Sequence, residues 1–265
     1  MFQTSVLKVG LFVIIFSLEF CCCAKLVAHE VLPDRPDYTD GIGIIPPEHY
    51  QLEGGFTFAR NAGISENSYG EFLLRQGMGR DTELRLGISS YFWTHISGEN
   101  ISGWDDTSIG FKWHIRDESE KLGLNNPGMA LEGTLNLPTG AQNIKLYGAE
   151  PEIRFLFSWN LNKKLALGSN ICYGKIVDSD SRIGRFWRSD RLGGSLSMGY
   201  DFSPKISGFL EIFGFRSHWT ENQGFVDTGF WYSITDDYGV DFRIGHGLNG
   251  LADDYFTGFG FGEIW

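Results

Sequence analysis

The sequence predicts an all-β protein: a single antiparallel transmembrane β-barrel of about 12 strands with an irregular N-terminal segment. Apolar and polar residues alternate with a period of two in successive segments along most of the chain. The 265 residues include 35 Gly and 22 Phe, and enrichment in glycine and aromatics is typical of many-stranded barrels. After Lys25 no apolar run reaches the roughly 18 residues of a membrane-spanning helix, whereas strands of about 10 residues suffice in a barrel.

The N-terminus has the three parts of a secretory signal peptide. Lys8 supplies a positive charge, and residues 10–18 (GLFVIIFSL) form the apolar part. Cys22 and Ala24 occupy the −3 and −1 positions of a cleavage site that precedes Lys25. Residues 1–24 are therefore predicted to be removed.

Two alternatives for the N-terminus remain open, a signal anchor and a lipid-anchored Cys21. Cleavage after residue 24 would remove three of the four cysteines and leave only Cys172. The mature chain would then have no intramolecular disulfide, although secreted proteins often use them.

Residues 25–48 are predicted to be irregular, because prolines interrupt them at positions 33, 36, 46 and 47. The barrel is then predicted to occupy residues 49–265. The candidate functional residues of the irregular segment are Asp34, Arg35 and Asp37. Two placements are open: a partial plug in the barrel mouth, with Arg35 paired to a lumen acid such as Glu53, or a periplasmic leader that caps the first strand.

Twelve segments carry the period-two pattern, and each has a length close to that of a tilted transmembrane strand. The first six segments and their apolar residues are 50–58 (Tyr50, Leu52, Phe56, Phe58), 69–77 (Phe72, Leu74), 83–93 (Leu84, Leu86, Ile88, Phe92), 106–115 (Ile109, Phe111, Trp113, Ile115), 129–137 (Met129, Leu131, Leu135, Leu137) and 152–159 (Ile153, Phe155, Phe157, Trp159). The remaining six are 165–174 (Leu165, Leu167, Ile171, Tyr173), 192–200, 206–215, 226–234, 238–246 and 255–265.

The connections alternate between short and long. Residues 203–205 and 235–237 are short and turn-like, whereas 97–104 and 177–190 are long and polar. Such alternation indicates a barrel with tight turns at one rim and longer loops at the other.

Periodicity alone does not decide which face is buried, since a soluble sandwich and a membrane barrel both alternate. Here the polar face carries charges of both signs, and aromatic residues gather near segment ends as they do at membrane interfaces. These features favour a barrel whose polar face lines a lumen. The predicted lumen residues are Glu53, Glu71, Arg75, Glu83, Arg85, Asp106, Lys112, His114, Glu132, Glu152, Arg154, Glu211, Asp227, Asp241 and Arg243.

The chain ends on YFTGFGFGEIW, in which Phe259, Phe261 and Trp265 share one face. A soluble edge strand with so apolar a face would invite aggregation. The pattern is similar to the C-terminal strand signature of bacterial outer-membrane proteins, which implies that Phe261 and Trp265 are an assembly signal for the barrel-assembly machinery. Glu263 departs from that signature, which usually has an apolar or aromatic residue there.

Several motifs, in this order, resemble an outer-membrane β-barrel family assigned to transport and to the meta-pathway of phenol degradation. They are Asp34-Arg35-Pro36-Asp37, then Pro47, His49, Gln51, Leu52 and Glu53, LNLPTG at 135–140, a strand with Glu211 inside ISGFLEIFGF, and the final stretch 238–265. The resemblance spans most of the mature chain. It implies a barrel in the outer membrane that passes small solutes, among them aromatic or hydrophobic ones.

The residues argue against other classes. The net charge of −11 and the absence of a basic cluster exclude nucleic acid as a partner. No cofactor is expected, and no metal site either, although Asp236-Asp237 and Asp253-Asp254 together could hold a divalent ion at a rim. An outer-membrane lipase or protease is the enzymatic alternative. It would use His114 with Asp106 and Ser108, but the chain lacks the GxSxG and HExxH motifs.

The sequence therefore predicts a protein of the outer membrane of a Gram-negative-type bacterium, reached after signal cleavage. Its expected partners are outer-membrane lipid, the barrel-assembly machinery and a small solute, whose passage or binding is the predicted function. A non-transporting surface scaffold is the second alternative.

Overall fold

A computed structural model describes residues 30–119, 122–142, 147–180, 185–217, 222–250 and 252–265. The predicted signal peptide lies outside the described residues. Among these residues no helix is long and apolar enough to span a bilayer.

The described residues form fourteen strands. These are β1 (Tyr50–Asn61), β2 (Ile64–Gly77), β3 (Thr82–Ile88), β4 (Tyr91–Ile96), β5 (Glu99–Trp104), β6 (Thr107–Arg116), β7 (Gly128–Leu137), β8 (Glu150–Asn160), β9 (Leu165–Asp180), β10 (Arg185–Ser203), β11 (Ile206–Ser217), β12 (Gln223–Ser233), β13 (Tyr238–Gly247) and β14 (Tyr255–Ile264).

The sheet closes on itself, because β1 pairs with β2 on one side and with β14 on the other. In the described chain, twelve antiparallel strands form this closed barrel, and β4 and β5 are two extra strands. Each strand of the ring thereby has a paired neighbour on both sides, as a bilayer requires. The predicted fold class is confirmed.

The extra strands extend the wall beyond a break. β2 pairs with β3 through its second half and with β4 through its first half, while β5 pairs with β4 and β6 with β3. Ser89 and Ser90 separate β3 from β4, and Asp105 and Asp106 separate β5 from β6. The backbone amide of Asp105 donates to the Ser90 carbonyl at 2.7 Å, so the two breaks lie side by side.

Two stretches that the sequence predicted as loops are mostly strand in the structure. Residues 97–104 contain only a tight turn at Ser97 and Gly98, which both have positive φ, and the rest is β5. Most of 177–190 extends β9 and β10, where Val177 lies opposite Arg188. These stretches lack apolar alternation, but strand pairing depends on backbone hydrogen bonds and continues without it.

The two ends of the barrel differ. We call the end at which β1 begins and β14 ends the terminal rim; there the Trp265 amide donates to the Tyr50 carbonyl at 2.9 Å. Short connections at this rim include 78–81, 161–164, 204–205 and 234–237. At the opposite end, the distal rim, β7, β9, β11 and β13 end and β8, β10, β12 and β14 begin.

The barrel wall has its apolar side outside. Phe56 on β1 is 44% exposed and Ile212 on β11 is 52% exposed, whereas Glu53 and Glu211 on the same strands are fully buried. A protein folded in water would place its charged face outside instead, so this outer surface suits the hydrocarbon of a bilayer. Phe259 and Trp265 lie on the outer side, as the pattern of the last strand predicts.

Residues 30–48, which we call the N-terminal segment, form no strand and lie against the inner face of the barrel. The segment starts at the terminal rim, where the Val31 amide donates to the Asp236 carbonyl at 3.0 Å. It reaches Phe213 of β11 with Tyr38 and returns to Glu83 of β3 with the Ile45 amide. Both ends of the segment therefore lie at the terminal rim, and its middle lies in the lumen.

Glycines of the wall leave room for this segment. A Cβ added at Gly55 or Gly260 would collide with the Arg35 guanidinium, and one at Gly77 would collide with the Pro46 backbone. These strand positions need glycine for close approach of the segment.

Candidate functional site: the barrel lumen

Asp34 is the centre of a buried group of charges. Its Oδ2 lies 2.6 Å from Arg85 Nη1, 2.8 Å from Lys112 Nζ and 3.3 Å from Arg75 Nη1. Glu83 binds Arg75 with both carboxylate oxygens, at 2.9 and 3.0 Å. We call these residues, together with Glu53 and Glu132, the Asp34 cluster.

Strand register brings the cluster together. Arg75 of β2 lies opposite Arg85 of β3, and Lys112 of β6 lies opposite both Glu83 of β3 and Glu132 of β7. Two arginines side by side would repel each other. Glu83 contacts both of them, and Asp34 from the N-terminal segment does the same.

Asp34 is held ionised by its surroundings. Burial raises the pKa of its carboxyl, but the charges of Arg75, Lys112 and Arg85 together outweigh burial, so the pKa lies well below its ordinary value of 3.8. The backbone amide of Asp34 also donates to Glu53 Oε2 at 3.0 Å. The segment is thereby bound to the wall through side chain and backbone.

Arg35 makes a second attachment. Its guanidinium lies 2.7 Å from Glu71 Oε2 and 3.3 Å from Asp241 Oδ2. The predicted pairing with Glu53 occurs through the backbone instead, since the Arg35 amide donates to Glu53 Oε2 at 3.1 Å. Arg243 holds the next residue by donating to the Pro36 carbonyl at 3.0 Å.

The middle of the segment is attached to β10 and β11. The Tyr38 amide donates to Glu211 Oε2 at 2.7 Å, and the Thr39 hydroxyl donates to the same carboxylate. Thr39 Oγ1 also lies 2.7 Å from Ser195 Oγ, and the Ser197 hydroxyl donates to Asp37 Oδ2 at 3.0 Å. These contacts fix the part of the segment that lies farthest from the terminal rim.

A cavity of about 210 Å³ remains beside the segment. Its lining includes Asp40, Arg85, Glu132 and Arg154. Arg154 is oriented by Glu152, whose Oε1 accepts from its Nε at 2.7 Å, and it also pairs with Asp40. This cavity is therefore largely polar and is lined by both signs of charge.

The structure places the predicted lumen residues on the inner face of their strands, with one exception. Asp106 lies in the break before β6, where its Oδ1 accepts a hydrogen bond from the Gly140 amide at 2.6 Å. The prediction assumed an unbroken strand over 106–115, but β6 begins at Thr107, and Asp106 belongs to the break that precedes it. Asp227 lies inward on β12 directly opposite Glu211.

The enzymatic alternative finds no support in the positions of its residues. His114 Nδ1 lies 3.0 Å from the Ile42 carbonyl, and its Nε2 lies 3.0 Å from Asp117. Asp106 and Ser108 lie at the other end of β6. A proton relay among the three would need them within hydrogen-bond reach.

The structure also gives the positions of the carboxylates that could bind an ion. Asp236 and Asp253 lie at opposite rims, so the rim site weighed from the sequence is wrong. Among the described residues, carboxylate oxygens of Asp34, Asp40 and Glu132 lie within 4.8 Å of one another. Lys112 Nζ already lies 2.8 Å from Asp34 and 3.7 Å from Glu132, and this ammonium takes the place a metal ion would need.

Sequence reasoning missed a group of aromatic residues inside the lumen. Phe213, Phe225 and Phe256 face inward, and Phe213 stacks on Phe225 with 4.8 Å between ring centroids. Phe215 packs against the same group. Its signal was present in ISGFLEIFGF, where apolar residues occupy both faces of the strand instead of one.

The closed ring, the exposed apolar exterior and the charged, segment-filled interior define a transmembrane β-barrel of the outer-membrane type. The chain belongs to the family described as "Putative MetA-pathway of phenol degradation", whose sequence model matches residues 33–262. No curated protein of similar sequence was found.

Solved structures with similar chains are barrels. The NanC porin is 12% identical, with a TM-score of 0.49 over 81% of this chain and 98% of that chain. The KdgM porin is 11% identical, with a TM-score of 0.48 over 80% and 98%. The CymD monoaromatic hydrocarbon channel is 10% identical, with a TM-score of 0.47 over 83% and 89%. The strand pairings of the chain itself remain the basis for its fold.

Proposed function

We propose that this protein is an outer-membrane channel for small solutes, in which the N-terminal segment closes the lumen at rest. The observation that carries the proposal is the Asp34 cluster: a non-strand residue lies at the centre of charges contributed by three strands. A barrel that serves only as a scaffold would not need charges of both signs around the segment, because an interior packed with apolar residues is as stable as one with buried ion pairs.

The charge pattern fits gated passage. Buried charges in a confined lumen are unfavourable unless they are paired. When the segment moves, water can enter the lumen and solvate the charged groups that the segment had paired. A twelve-strand barrel encloses a lumen of modest width, which suits small solutes. The family description and the apolar inward patch both favour aromatic or hydrophobic solutes.

The proposal also includes a route of assembly into the outer membrane. We propose that the barrel-assembly machinery recognises the outward face of β14, with Phe261 and Trp265 as the signal. Signal cleavage before Lys25 would place the chain in the periplasm beforehand. Both steps are part of the proposal.

The proposal can be tested by conductance measurements. The wild-type protein and the Arg85→Ala and Arg154→Ala variants would be compared in planar bilayers, with Leu86→Ala as the control from the outer face of the same wall. We expect the arginine variants to change opening frequency or ion selectivity, because each leaves acids of the lumen uncompensated. Equal effects of Arg85→Ala and Leu86→Ala would contradict a role of the lumen charges in passage.

A further inference from the structure

We propose that the inward aromatic patch on β11, β12 and β14 is a binding site for a phenolic ring, and that Tyr38 occupies this site in the resting protein. The inference rests on the proposed function only in that the lumen must admit a small solute. It names a site and a ligand class that the channel proposal leaves open.

The wall of the site consists of phenylalanines from three strands. The ring of Phe225 lies 4.8 Å from that of Phe213 and 6.1 Å from that of Phe256. Phe225 and Phe256 are buried, and Ala252 from the distal loop packs against them. The patch is therefore an apolar surface in a lumen whose inner face also carries many charges, serines and glycines and two further apolar clusters, around Ile45 and around Leu156.

Tyr38 binds this wall as a free aromatic molecule would. Its ring stacks on Phe213 at 4.8 Å and 16°, and it meets Phe215 edge-on at 5.0 Å and 87°. The Arg154 guanidinium covers the ring at 4.8 Å, and the Tyr38 hydroxyl lies 3.8 Å from Cys172 Sγ. Stacked, edge-on and cation–π contacts together recognise a ring rather than any apolar group of similar size.

The hydroxyl of Tyr38 stays protonated. Burial raises the pKa of the phenol, and Arg154 lowers it by less, so the pKa lies above its ordinary value of 10.0. The site thus holds a neutral phenol under a guanidinium. A neutral phenolic solute meets the same contacts without bringing an additional charge into a lumen rich in acids.

The position of Tyr38 in the chain makes exchange feasible. It belongs to the N-terminal segment, not to the wall, and its backbone is held by a hydrogen bond from its amide to Glu211 that does not involve the ring. The cavity of about 210 Å³ has Arg154 in its lining, and the guanidinium of the same residue covers the ring of Tyr38. A cavity of this size accommodates one small aromatic molecule.

Tyr38 and the solute are then competitors. A tethered side chain acts at an effective concentration in the millimolar range, so the apparent affinity for a free solute is lowered by the fraction of time the site is filled. Removal of the Tyr38 ring must therefore strengthen binding. A merely structural role of Tyr38 would not produce that result.

The experiment uses the full-length protein in detergent, with 4-methylphenol as the probe and 4-methylcyclohexanol as its non-aromatic counterpart, measured by calorimetric titration. We expect the dissociation constant for 4-methylphenol to fall at least about tenfold in Tyr38→Ala relative to wild type. We expect Phe213→Ala, added to Tyr38→Ala, to reverse that gain. Phe259→Ala on the outer face, added in the same way, should leave it unchanged.

Each variant is checked for the shift in gel mobility on boiling, and Phe225→Leu replaces Phe213→Ala if the latter does not fold. Equal affinity of wild type and Tyr38→Ala, equal binding of the two probes, or an effect of Phe259→Ala as large as that of Phe213→Ala would each overturn the site. Binding without conductance would leave the site intact and refute passage, whereas conductance without binding would refute the site and leave passage intact.

Discussion

Asp34 connects the N-terminal segment to three cations of the wall, and its side chain is 5% exposed. Removing one partner of a buried ion pair lowers stability more than removing one partner of a surface pair, because the remaining charge is left in a site without water. Here Glu83 and Glu132 still contact the same cations, so part of the loss is compensated.

Replacing Asp34 by Asn should therefore destabilise the folded protein by about 3 kcal/mol, the low end for a buried pair. The temperature at which the compact gel band converts to the unfolded one would measure the loss. Asp201→Asn, at an exposed position near the terminal rim, is the matched control. A variant as stable as this control would show that the Asp34 contacts contribute little.

The lowered pKa of Asp34 also sets a pH dependence. A depressed carboxyl pKa contributes stability above the pKa of the unfolded chain, here 3.8, and this contribution is lost as the pH falls toward the folded value. Protease access to the N-terminal segment should thus be the same at pH 7 and pH 5. It should rise only below about pH 3.8. Rising access already between pH 7 and pH 5 would require another group to control the attachment.

The faces of single residues were largely predictable, while their partners were not. Glu83 and Arg85 alternate with Leu84 and Leu86, which assigns their side of the wall from sequence alone. The pairing of Arg35 with Glu71 depends on the route of an irregular segment, for which no local pattern exists.

At the scale of strands, the outer faces of the barrel wall meet hydrocarbon. Ile212 lies near the middle of β11, opposite Leu196 on one side and Val226 on the other. Ile212→Lys should cost roughly 2–4 kcal/mol of folding free energy in lipid vesicles, because a charge at the bilayer midplane is unfavourable. Leu248→Lys, in the distal loop, is the control. Similar costs for both would argue against a lipid-facing β11.

The last strand gives a second prediction for an element. Trp265 stacks on Tyr50 with 6.3 Å between ring centroids at the place where β1 and β14 close the ring. Trp265→Ala should lower the fraction of protein that reaches the membrane in compact form, as judged by gel mobility before boiling. Tyr232→Ala, another outward aromatic near the same rim, should have a smaller effect. The reverse order would remove Trp265 as the assembly signal.

Strand positions followed from period-two alternation, whereas strand lengths did not. Eleven of the twelve predicted segments lie within one barrel strand to within a residue at either end, whereas 83–93 runs across the break at Ser89 and Ser90 into β4. The sequence predicted β5 and the distal ends of β9 and β10 as loops, but backbone pairing continues through them.

For the whole molecule, the fold class was predictable and the occupation of the lumen was not. A periodic pattern indicates a wall, but the same pattern accompanies an empty, filled or plugged interior. The prolines of the N-terminal segment only excluded a strand. Its position follows from long-range contacts between residues such as Tyr38 and Glu211, which are 173 positions apart in the chain.

The central claim, that the N-terminal segment closes the lumen, can be tested with a reversible tether. Thr39 Oγ1 and Ser195 Oγ lie 2.7 Å apart, so Thr39→Cys with Ser195→Cys in a Cys172→Ser background places two thiols at disulfide distance. The measurement is single-channel conductance of this variant in planar bilayers, before and after reduction. We expect no conductance steps in the oxidised form and frequent steps once the disulfide is reduced. Identical steps in both forms, or none in the reduced form, would contradict closure and passage as proposed.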